Sequence, residues 1–103
     1  MASKFVTALK AEELAPGQMK CVTLQGQRIA LYNVGGTVYA TDDTCSHAEA
    51  SLTEGELSGH VVKCPKHGAK FDVTTGAALS LPAWAPVDTY EVKVENGEIK
   101  VAI

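Results

Sequence analysis

Eight short β-type runs, closed off by glycine, asparagine or aspartate, follow one another with almost no helical period between them. They are 4–8, 18–24, 29–34, 37–41, 60–63, 70–73, 88–94 and 98–102, rich in residues that suit a pleated, half-buried surface. Gly26 divides the second run from the third, and Gly35-Gly36 follow the third. Asn96-Gly97 before the last run is a two-residue hairpin signal, because both central positions of that turn need positive φ. Helix-type spacing shows only over 10–16, where Pro16 and Gly17 would stop it. Short strands and tight turns with no helix between them predict an all-β fold, a small antiparallel sandwich or barrel.

At 103 residues the chain has room for one domain, 1–103, and its 46% apolar content is enough for one small core. A domain this small buries less of its surface than a larger one, so a metal cross-link would help it. Twelve acidic residues against nine basic ones give a net charge of −3. No Lys/Arg cluster stands out, which argues against nucleic acid and anionic membrane as partners. The opening MASKFVTALKAEELAPG has neither a long apolar run nor a cleavage pattern, and nothing reaches membrane-span length. Three cysteines cannot all pair with one another. A reducing cytoplasm, where thiols bind metals or stay free, is therefore the expected compartment.

The longest stretch without strand pattern, 42–59, needs something to tie it down. It opens the segment CSHAEASLTEGELSGHVVKCPKHGAKFD, 45–72, in which Cys45 and His47 form a C-x-H pair and Cys64 and His67 a C-x-x-H pair. Two thiolates and two imidazoles fit either a structural zinc or an iron–sulfur cluster. Zinc fingers group Cys with Cys and His with His, whereas here each pair mixes the two. If two such loops face each other, both thiolates can hold one iron and both imidazoles the other, as in a Rieske [2Fe–2S] centre.

At these residues the chain resembles the small Rieske-type ferredoxins of bacterial aromatic-ring-hydroxylating dioxygenase systems of the biphenyl and naphthalene kind. The likeness extends to Leu52 and Gly55 after the first pair, FDVTTG (71–76) after the second, LPAWAPV (81–87) and the terminal YEVKVENGEIKV. The resemblance implies one [2Fe–2S] cluster on Cys45, His47, Cys64 and His67, held at one tip of the sandwich. Its loops would be about 42–59 and 64–69, with a proline loop, 80–87, covering a third side. It also implies a one-electron carrier with no catalytic site of its own, a monomer in solution, working between an NAD(P)H-dependent flavoprotein reductase and a terminal oxygenase. HAEA and PKHG lack the extra cysteines that form a disulfide in high-potential members. The potential is thus expected at the low end of the Rieske span of about −150 to +300 mV. Glu49 departs from the Gly, Asp or Asn common in the family, and Ser46 is a possible hydrogen-bond donor to the cluster.

Competing readings are a Rieske subunit of another redox complex, such as a nitrite reductase, and a zinc-stabilised module. Cys21 reads as a small buried hydrophobe, His60 as solvated, and Asp42-Asp43 as a turn cap. Leu52, Pro82 and Trp84 read equally as core packing or as apolar cover for the cluster. Glu49, Glu54 and Glu56 would steer the tip toward basic partners.

Overall fold

A computed structural model describes residues 4–44, 50–65, 68–80 and 85–103. Among the described residues ten strands run in order: β1 Phe5–Lys10, β2 Met19–Leu24, β3 Gln27–Val34, β4 Thr37–Asp42, β5 Glu56–Ser58, β6 Val61–Lys63, β7 Lys70–Asp72, β8 Thr89–Tyr90, β9 Val92–Glu95 and β10 Glu98–Ala102. They form three antiparallel sheets, ordered β1-β10-β9, β2-β3-β4-β8 and β5-β6-β7.

The centre of this arrangement is β3. Successive side chains of a strand point to opposite faces, and here both faces are covered. Ile29 and Leu31 join Leu14, Leu24, Ala40, Ile99 and Val101 in one core, under the β1-β10-β9 sheet. Ala30 and Tyr32 join Leu52, Val62, Cys64, Ala69, Phe71, Val73 and Val87 in the other, under the β5-β6-β7 sheet. That is why residues 29–32 form a continuous apolar run rather than an alternating one. Each fully buried Leu, Ile or Phe contributes about 1.5–3 kcal/mol by leaving water.

Turn chemistry sets the register. Gln25 and Gly26, at φ 50° and 81°, link β2 to β3, and Asn96 and Gly97, at φ 53° and 74°, link β9 to β10. Successive positive φ values match the right-handed twist of the paired strands.

Three expectations need correction. The helix-type pattern at 10–16 forms only a 3-10 turn, Ala11–Glu13, because Lys10 is still held in β1. Residues 42–59 are not strandless: a 3-10 turn, Leu52–Glu54, and β5 lie within them. β5 alternates over just three residues, with only Leu57 turned inward, too short a signal to read without its partner β6. The run 88–94 is broken into β8 and β9 at Glu91. No helix among the described residues is long and apolar enough to cross a membrane.

Candidate metal centre

Of the four expected ligands, Cys64 is described; Cys45, His47 and His67 lie outside the described residues, as do Pro82, Trp84, Ser46 and Glu49. Cys64 follows β6 directly and is 1% exposed, packed in the core with Leu52, Val62 and Phe71. Its N–H donates to the Ala69 carbonyl at 2.6 Å, between the end of β6 and the start of β7. Gly68 holds φ 71° there, a left-handed backbone that glycine adopts without strain. Cys64 forms no disulfide.

The described residues on either side of the first pair are also held. Thr44 and Ser51 form an isolated antiparallel bridge. Asp43 underpins that bridge. Its N–H donates to the Arg28 carbonyl at 3.1 Å, and its own carbonyl accepts from Leu52 N–H at 2.7 Å. Its fully buried carboxylate accepts from Ser51 Oγ (2.5 Å), Thr53 Oγ1 (2.8 Å) and Thr53 N–H (3.1 Å), and pairs with Arg28 at 3.0 Å. Burial pushes this carboxyl up, but the Ser51 and Thr53 hydrogen bonds outweigh it and hold the group below its ordinary value.

Two contacts bring the framed segments together. Leu52 is fully buried in the same core as Cys64. A β-carbon on Gly55 would run into the Lys63 carbonyl oxygen and touch Pro65 Cδ, so the backbone after the first pair lies directly against the backbone before the second. Between them is a hollow of about 360 Å³ lined by Glu54, Gly55, Glu56, Lys63, Cys64, Pro65 and Gly68. Ser80 and Val87 are also tied to the fold. Lys70 N–H donates to Ser80 Oγ at 3.1 Å, and Val87 N–H donates to the Gly76 carbonyl at 2.9 Å.

A buried, unpaired thiol beside a polar-lined hollow is a donor of the right type for a thiophilic metal group. Among the described residues no set of three or more His, Cys, Asp or Glu is placed to hold a metal ion by itself.

The family model for the Rieske [2Fe–2S] domain matches residues 4–91. The chain belongs to the Rieske [2Fe–2S] family. This Rieske domain is 39% identical over 101 residues to the ferredoxin component of the naphthalene 1,2-dioxygenase system of Pseudomonas putida, covering 98% of this chain and 97% of that protein. It is 47% identical over 89 residues to the ferredoxin component of biphenyl 2,3-dioxygenase of Rhodococcus jostii, covering 86% and 83%. Among solved structures, a chain in a complex of reduced oxygenase and oxidised ferredoxin of carbazole 1,9a-dioxygenase matches with a TM-score of 0.91 and 42% identity, over 95% of this chain and 92% of that one. These relatives are carriers rather than catalytic subunits, and the Rieske cluster is the cofactor of the family.

The remaining sequence readings divide. His60 is 58% exposed, as expected of a solvated residue, and faces Asp72 at 3.4 Å. Cys21 is not a core hydrophobe. It is half-buried in β2 beside Arg28 and Asp43, and burial raises its thiol against the pull of Arg28. Asp43 is not a turn cap but the anchor of the first segment. Only the S-x-T spacing of Ser51 and Thr53 hinted at this, and no local rule places Arg28 beside them.

Proposed function

We propose that Cys45, His47, Cys64 and His67 bind one [2Fe–2S] cluster, and that the whole chain, 1–103, serves as a single cytoplasmic, monomeric Rieske domain. It takes electrons one at a time from an NAD(P)H-dependent flavoprotein reductase and passes them to a terminal aromatic-ring-hydroxylating oxygenase. The observation that carries this is Cys64, a buried and unpaired thiol set where the two framed segments meet.

The cluster, when bound, stores a single electron. The rest of the work falls to the chain. Neutral imidazoles in place of two thiolates leave less negative charge to oppose reduction. The apolar core behind Cys64 keeps water from that side of the site. Transient docking suits a carrier, so a small interface is expected. The oxygenase in the solved carbazole dioxygenase complex and the dioxygenase systems named for the relatives support these partners.

Electron paramagnetic resonance of the purified, dithionite-reduced protein tests the ligand set. A rhombic signal with an average g value below that of all-cysteine clusters is expected. A colourless protein holding zinc and no iron would overturn the proposal.

A further inference from the structure

We infer that Asp43 is a positioning residue for the first ligand pair and tunes the potential of the bound cluster, an inference that rests on the ligand set proposed above. Asp43 stands two residues before Cys45 and bonds across the Thr44–Ser51 bridge, so one carboxylate ties the chain ahead of the first pair to Ser51 and Thr53 after it.

An ionised carboxylate is the side chain that suits this place. It is acceptor-only and offers two oxygens. Oδ2 takes the Ser51 hydroxyl and Arg28, and Oδ1 takes the Thr53 hydroxyl and Thr53 N–H. Asparagine would keep one oxygen and turn an N–H donor toward groups that are themselves donors. A buried ion pair is a weak device for stability alone, since well-packed apolar residues often do as well. Apolar residues cannot fix the direction of the chain at two points, and four directed hydrogen bonds and ion-pair contacts do.

The charges add a second effect. The Asp43 side chain is 0% exposed, while that of its counter-ion Arg28 is 54% exposed and partly screened by water. A negative charge held there opposes electron uptake at the adjoining site. Removing it favours reduction, and removing Arg28 disfavours it.

The test compares wild type, Asp43→Asn, Arg28→Ala, Ser51→Ala and Thr53→Val, each purified with its cluster. Three readouts are taken: the midpoint potential, the rhombic signal of the reduced protein, and the rate of iron loss to a chelator. Asp43→Asn is expected to raise the midpoint, broaden the signal and speed iron loss about tenfold. Arg28→Ala is expected to lower the midpoint. Ser51→Ala and Thr53→Val keep both charges and are expected to speed iron loss by a smaller factor with little change in midpoint. They carry the positioning test if Asp43→Asn does not fold. Variants that melt earlier but keep the wild-type midpoint, signal and iron-loss rate would overturn the inference and leave Asp43 purely structural. A wild-type protein with no rhombic signal would instead overturn the ligand set itself.

Discussion

The α-carbon of Gly55 faces the Lys63 carbonyl so closely that no β-carbon fits between them. Through this contact the segment after Cys45 and His47 is seated against the segment that carries Cys64 and His67. Gly55→Ala is expected to push the two apart. By analogy with overpacked cores, the expected cost is about 2–3 kcal/mol, together with a lower iron content per chain. Chemical denaturation and iron analysis measure the two effects, and a variant with wild-type values in both would refute the role of this contact.

Leu52 has the complementary task of filling the core behind Cys64. Leu52→Ala should leave a cavity and cost about 2–4 kcal/mol. Ala is small enough not to disturb the Asp43–Leu52 backbone hydrogen bond, so the fold should survive. Urea titration of wild type and variant gives the difference directly.

Tyr90 donates its hydroxyl to Asp42 at 2.5 Å and accepts from Gln27 at 3.2 Å. Burial, and then the Asp42 carboxylate, push its pKa up to about 12. An unfolded tyrosine titrates near 10. The folded chain therefore holds the proton more tightly. Tyr90's contribution to stability is complete below about pH 10 and is lost as pH rises through about 12. Melting temperature across that window should fall less steeply in Tyr90→Phe than in wild type. Parallel slopes would show that this hydrogen bond is not the cause.

Glu54 and Glu56 are exposed on the rim of the hollow beside Cys64. If they steer a basic partner, the doubly reversed variant Glu54→Lys/Glu56→Lys should slow reduction of the oxygenase several-fold at low salt. The difference should vanish as ionic strength rises, because exposed charges are screened beyond about 10 Å at 0.1 M. Stopped-flow rates that are insensitive to both salt and substitution would rule steering out.

What the sequence makes legible is local. Asn96-Gly97 announces its hairpin because the turn geometry demands those residue types, and C-x-H with C-x-x-H announces a metal centre because few other roles need that donor set. β5 stays hidden because three residues carry no period of their own. Asp43 stays hidden for a different reason. Its partners are 15, 8 and 10 residues away at Arg28, Ser51 and Thr53, the first brought in when β3 and β4 pair and the others across the Thr44–Ser51 bridge. The proposed ligands are read from spacing, whereas the contacts of Asp43 depend on long-range pairing.

The two-faced burial of β3 has an evolutionary consequence. One strand serves as a party wall between a half whose core holds Cys64, a proposed cluster ligand, and a half whose core holds Ile99 and Val101. Substitutions at Ile99 or Val101 can then drift under selection for robustness alone, while those at Leu52 or Phe71 answer also to the cofactor. A lineage adapting to a hotter habitat has a reservoir of change on the far side of that wall, available without retuning the redox centre.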